Sequence, residues 1–153
     1  MSQKNHAPID PRGPRFGATI INILSLITLY FALDPATEQT AFVLLLIATA
    51  SFVIGALVGN SRHPFGWLFR KLVRPRLKPA AELEDPRPPQ FAQVVGLFVS
   101  VIGIGLYLGQ VPFGVAYAAG ALVAATTLQA YFGFCLGCQI YVGLQRIGLI
   151  RQH

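Results

Sequence analysis

The chain has 153 residues, 54% hydrophobic and only 12% charged, with two cysteines and 12 Lys and Arg against 6 Asp and Glu. That shortage of charge excludes a disordered chain, and so few cysteines exclude a disulfide-stapled scaffold. A net charge of +6 would usually raise nucleic-acid binding. Here the apolar residues gather into blocks long enough to cross a bilayer, and this decides for a membrane protein with no nucleic-acid partner.

Residues 1–15 form a basic N-terminal segment with Lys4, Arg12 and Arg15. Four uncharged runs follow, at 16–33, 41–59, 91–109 and 111–132, interrupted only by residues such as Asn22, Ser25, Thr126 and Gln129. None contains Lys, Arg, Asp, Glu or His, as hydrocarbon demands, since a central charge costs at least about 2.5–3.5 kcal/mol. Backbone groups in lipid must be satisfied within each span, so the expected fold is all-α integral membrane with four transmembrane helices. The first run is too long for a signal-peptide core and lacks a small-x-small cleavage site before Asp34, so it reads as a span.

Basic residues set the expected orientation. Three precede the first span, seven lie in the loop at 60–90 and two follow the fourth span, while the two outer turns hold none. Both termini and the central loop are therefore expected in the cytoplasm, with the protein multi-pass. Asp34-Pro35 reads as the start of the second span, and Gln110-Val111-Pro112 as a similar turn before the fourth. Two tandem helical hairpins result.

Asp10-Pro11-Arg12-Gly13-Pro14-Arg15-Phe16-Gly17 precedes span one, and Asp85-Pro86-Arg87-Pro88-Pro89-Gln90-Phe91-Ala92 precedes span three. At this offset of 75, five of the eight positions are identical, which suggests a parallel repeat about an axis along the membrane normal. Recurrence of proline-rich entries by composition alone is the competing account. Each hairpin is followed by a segment expected to lie in the cytoplasmic interface. After span two, Phe65, Leu68, Phe69 and Leu72 recur at helical spacing beside Trp67 and basic residues. After span four, the tail at 133–153 is apolar but broken by Gln139, Gln145 and Arg146. A single helix from 111 to 150 would be about 60 Å long, twice the hydrocarbon thickness, so a break is expected near Gly133 to Gly137. Residues 78–90, with four prolines, read as an extended connector.

The chemical constellation is Cys135-Leu136-Gly137-Cys138, at the spacing of thiol–disulfide oxidoreductases. If a helix starts at the break, Cys135 sits at its positive end, which favours the thiolate. Packing through Gly133-x-x-x-Gly137 is the competing reading. A closed metal site is the weakest, because it needs four ligands and only His6, His63 and His153 could supplement the thiolates, or a homodimer supply four cysteines. His63, opposite Cys138 at the offset of 75, is a second candidate as proton donor or thiolate partner, against the plainer role of an interface residue. Gly55-x-x-x-Gly59 and Gly105-x-x-x-Gly109 read as close helix contacts, within the bundle or between copies.

Three landmarks, 9–16, 74–86 and Gly133-Phe134-Cys135-Leu136-Gly137-Cys138, resemble an uncharacterised bacterial integral membrane family, domain of unknown function 4395, common in actinobacteria. The resemblance implies a small four-span inner-membrane protein with a Cys-x-x-Cys near its end and no established activity. It also implies a genomic neighbourhood of thioredoxin-like or rhodanese-like proteins. The leading expectation is thiol–disulfide or sulfane-sulfur handling through Cys135 and Cys138, with a cytoplasmic thioredoxin- or rhodanese-like partner. No bound cofactor is expected, though a membrane quinone would serve as electron acceptor. The rivals are a non-enzymatic accessory subunit of a larger membrane complex and a small, oligomeric pore for a sulfur species.

Overall fold

The computed structural model describes residues 12–59, 63–79 and 87–148. Among these the chain is all-helical: α1 (Arg12–Ala32), α2 (Glu38–Val58), α3 (Pro64–Leu68), α4 (Arg87–Leu108), α5 (Gly114–Phe132) and α6 (Leu136–Arg146). A π-helical turn, Phe69–Val73, and a 3-10 turn, Arg74–Arg76, continue α3. Helix α1, the segment Pro35–Val58, α4 and α5 are each long and apolar enough to cross a membrane.

Helices α1 and α4 each begin some four residues before the apolar run that forms them. Pro14, Pro88 and Pro89 sit in first turns, where a missing N–H costs nothing and a fixed φ suits the helix. The connector expected over 78–90 therefore ends sooner, because Arg87–Gln90 are helical; its middle, 80–86, lies outside the described residues. The Arg12 guanidinium donates to the Lys78 carbonyl at 2.9 Å, tying the connector to the start of α1. Asp34 caps the short turn Pro35–Thr37, accepting from the Ala36 N–H at 2.9 Å, and α2 follows it. The second outer turn is built differently: Gln110 and Phe113 both adopt left-handed φ, and α5 starts at Gly114.

The four long helices form a ring in which α1 packs along α2 and α5, and α4 packs along the same two. Between α1 and α5 the buried residues are mostly small or polar: Ala18, Asn22, Ser25, Thr28 and Ala32 face Ala118, Ala119 and Thr126, while Ile21, Leu45, Phe52, Val115 and Leu122 form an apolar core within the ring. Large apolar residues such as Ile27, Tyr30, Ile47, Phe98 and Tyr117 point outward. Lipid is as apolar as leucine, so helices in a bilayer gain by close backbone approach and interhelical hydrogen bonds instead of by burying bulk. Asn22 supplies the bonds. Its buried amide donates to the Thr127 hydroxyl at 2.8 Å and the Thr126 hydroxyl at 3.0 Å. Gly96 and Gly103 supply the approach: a Cβ at Gly96 would stand 2.4 Å from the Phe52 ring, and one at Gly103 2.4 Å from Ala118 Cβ. Gly55 packs on α4, where a Cβ would stand 2.7 Å from the Gln93 side chain; Gly59 ends α2 with φ +77°, and Gly105 has nothing within 4 Å inside this chain.

The second half of the chain repeats the packing of the first. Arg12–Ala32 and Glu38–Val58, advanced by 75, fall on α4 and α5 to within one residue at each terminus. Helix α3 packs on α1 just as α6 packs on α4. Phe16 pairs with Phe69, ring centroids 5.9 Å apart, and Phe91 with Tyr141 at 5.6 Å. Arg15 donates to the Ala130 carbonyl in the last turn of α5, while Gln90 donates to the Ala56 carbonyl in the last turn of α2. These matched contacts, on top of the shared entry motif, support a duplication that composition alone would not produce.

Candidate functional site

Helix α5 ends at Phe132 because Gly133 turns left-handed, with φ +68°, a conformation that favours glycine. The N–H groups of Gly133 and Phe134 both close back onto the Leu128 carbonyl. Three residues later α6 begins, so the expected break falls at 133–135. Cys135 is the N-cap of α6, in extended conformation, and its Sγ accepts the Cys138 N–H at 3.1 Å. Cys135 and Cys138 are joined as a disulfide, Cα atoms 5.1 Å apart, and both are partly exposed. The pair is thus held by one helical turn, with its first sulfur at the positive end of the helix.

Two contacts fix that turn. A Cβ at Gly137 would lie 2.5 Å from both Cα and Cβ of Ala92, so α6 touches the backbone of α4 between the two cysteines. The Arg15 guanidinium lies over Gly133, about 3.8 Å from where a side chain there would begin, and donates to Ala130. Sequence reasoning used Arg15 only as a charge that sets orientation. A signal was available: Arg15 and Gln90 occupy one of the positions at which the two entry motifs differ.

His63 stands at the matching place in the first half. It is the N-cap of α3, and α3 begins 72 residues before α6, so its structural counterpart is Cys135 and not Cys138. The offset drops from 75 to 72 because the link between α5 and α6 is shorter than that between α2 and α3. The side chain is 4% exposed. Its Nδ1 accepts the Phe65 N–H at 3.1 Å, so the proton belongs on Nε2, which donates to the Ser51 carbonyl at 3.0 Å and lies 3.1 Å from the Ser51 hydroxyl. Nδ1 thereby caps α3, and Nε2 ties that cap to α2.

Burial lowers the His63 pKa, opposed in part by the bond to the Ser51 backbone. The folded protein keeps the ring neutral while the unfolded chain binds a proton first as pH falls. Stability is therefore full above about pH 6.5 and declines below it, toward the lowered folded pKa. His63→Asn, which retains a capping acceptor, is expected to remove this acid sensitivity. Thermal unfolding in detergent across the neutral-to-acid range checks it, the expected result being a midpoint that falls with acid only in the wild type.

A cavity of about 480 Å³ opens inside the basic end of the ring. Ile21, Phe52, Val99 and Leu122 give it apolar walls; His63, Thr126 and Gln129 give it polar ones. Arg70 and Arg74 lie on the α3 side, and Leu136 and Gly137, the two residues between the cysteines, line the α6 side. The cavity and the cysteine turn thus share a wall.

Among the described residues no three His, Cys, Asp or Glu side chains converge as a metal site would require. Comparisons with curated proteins and with solved structures give no match. A family model described as a domain of unknown function, DUF4395, matches residues 9–146, taking in all four spanning helices, the connector and the cysteine turn. The chain belongs to the DUF4395 family.

Proposed function

We propose that the protein is a membrane-bound thiol–disulfide exchanger whose working pair is Cys135 and Cys138. The observation that carries this reading is the cap: Cys135 ends an extended link and begins α6, with the Cys138 N–H aimed at its sulfur. In the reduced state that N–H and the helix dipole favour a thiolate at Cys135 over one at Cys138. Cys135 is the attacking thiolate. It attacks one sulfur of a partner disulfide, forming a mixed disulfide and releasing the partner's other thiolate. Cys138, one turn away, then attacks the Cys135 sulfur, closing the intramolecular disulfide and freeing the reduced partner. A sulfane-sulfur donor would react by the same attack, leaving a persulfide on Cys135 that Cys138 resolves with release of hydrosulfide.

The basic end of the ring faces the cytoplasm of a bacterial cell in this reading, following the distribution of Arg and Lys. The partner is then a cytoplasmic thioredoxin- or rhodanese-like protein. His63 contributes by holding α3, which walls the cavity, and not as the base for the cysteines, since both its nitrogens are occupied.

Differential alkylation in intact membranes, read by mass spectrometry across a glutathione redox series, tests the reading. The expected result is a reversible disulfide, with Cys135 modified faster than Cys138 once reduced. Two thiols that react only after detergent unfolds the protein would make them packing residues and leave an accessory-subunit role in front.

A further inference from the structure

A dithiol that cycles in a membrane protein needs a place to send or draw two electrons, and the cavity lies against the one this chain carries. We infer that the cavity is a quinone site and that its occupant exchanges electrons with the Cys135–Cys138 pair. The inference rests on the thiol-exchange reading and names the substrate class that completes it.

Three features of the cavity fit such a ligand. At about 480 Å³ it falls within the range of roughly 300–1,000 Å³ typical of small-molecule sites, and it is buried among helices long and apolar enough to cross the bilayer, where a lipophilic ligand concentrates. A quinone ring has an apolar face and two oxygens that only accept hydrogen bonds. The walls from Phe52, Val99 and Leu122 suit the former, and donors line the same space. No side-chain hydrogen bond within the described residues engages the Gln129 amide, and Arg70 and Arg74 make no ion pair among them. No Asp or Glu lines the cavity, so nothing there repels the anionic character that a quinone oxygen gains on reduction. Finally, Leu136 and Gly137 form part of its wall, which sets a bound ring beside the turn that carries both sulfurs.

The reaction balances as two thiols plus one quinone giving one disulfide plus one hydroquinone. Two S–H bonds break and one S–S bond forms. The two electrons and two protons pass to the quinone oxygens, which become hydroxyls. The exchange reaction run in reverse supplies the dithiol again: a partner dithiol attacks the Cys135–Cys138 disulfide, leaves as its own disulfide and restores both thiols.

The test uses the full chain in lipid nanodiscs, reduced, freed of reductant and kept anaerobic. Decyl-benzoquinone is the probe. Hydroquinone is read by absorbance, and the thiols of Cys135 and Cys138 by alkylation and mass spectrometry. The expected result is one hydroquinone per disulfide formed, at a rate that saturates with probe. Ala125→Phe, which fills the cavity, is expected to slow this at least tenfold, and Gln129→Leu, a milder change, to raise the half-saturating concentration. Oxidation by water-soluble diamide stays unchanged in both variants, which establishes that their cysteine turns are intact. If diamide oxidises the pair but the quinone does not, the quinone site is overturned and thiol exchange stands. The quinone site is equally overturned if oxidation by the quinone fails to saturate and ignores both variants, since the reaction is then collisional. If neither oxidant forms the disulfide, the exchange reading falls with it.

Discussion

Gly137→Val is expected to be among the most damaging single substitutions outside the cysteines. Its new Cβ would stand 2.5 Å from the Ala92 Cα, a backbone atom of α4 that no rotamer change can move aside. Overpacking of a tight interface costs about 1–3 kcal/mol where side chains can adjust, and here the helix itself must shift. Helix α6 is expected to lift from α4, taking the cap at Cys135 and one wall of the cavity with it. Thermal unfolding should show a lower midpoint, and the fraction of Cys135–Cys138 disulfide after mild oxidation should fall. Gly105→Val is the control: with nothing within 4 Å of its Cβ, it should leave both readings within error of the wild type. Equal effects at the two glycines would mean that α6 does not dock on α4 through Gly137.

On the proposed thiol exchange, Cys135→Ser is expected to abolish the reaction, because Cys135 is there the attacking sulfur. Cys138→Ser should differ in kind. It leaves the cap and the nucleophile at Cys135 but removes the resolving thiol, so turnover stops after the first attack and a mixed disulfide with the partner accumulates. Non-reducing electrophoresis of membranes from cells carrying each variant reads this directly: a reducible adduct with Cys138→Ser and none with Cys135→Ser or the double variant. An adduct with Cys135→Ser in place of Cys138→Ser would exchange the two roles. Such a swap would show that the helix cap does not choose the nucleophile.

The two matched halves place different residues at this site. Where the first half has His63-Pro64-Phe65-Gly66, the second has Cys135-Leu136-Gly137-Cys138, and where the second half has Gln90 over the end of α2, the first has Arg15 over the end of α5. The shared geometry is an N-cap seated against the neighbouring helix. One half keeps an imidazole whose bonds fix α3; the other carries the Cys135–Cys138 disulfide. The matched halves thus form a symmetrical frame around unlike sites.

Much of this was legible in one dimension, and for definite reasons. Four long helices follow from uncharged runs, because hydrocarbon penalises each charge and each unpaired backbone group separately, residue by residue. The break before the cysteines follows from length, since a helix of about 40 residues overshoots the bilayer. The repeated entry motif and the Cys-x-x-Cys spacing are visible as strings. What the sequence could not decide is which face of each helix turns inward. Spans such as α2 and α5 are apolar all round, so hydrophobic periodicity, the usual guide to facing, carries almost no signal. Only tertiary packing selects Gly96 and Gly103 over Gly105 as contact points, buries Asn22 against Thr126 and Thr127, and closes the helices around a cavity at the cysteine turn. It also makes His63 the counterpart of Cys135, because helix caps align by their backbone geometry and not by a fixed count of residues.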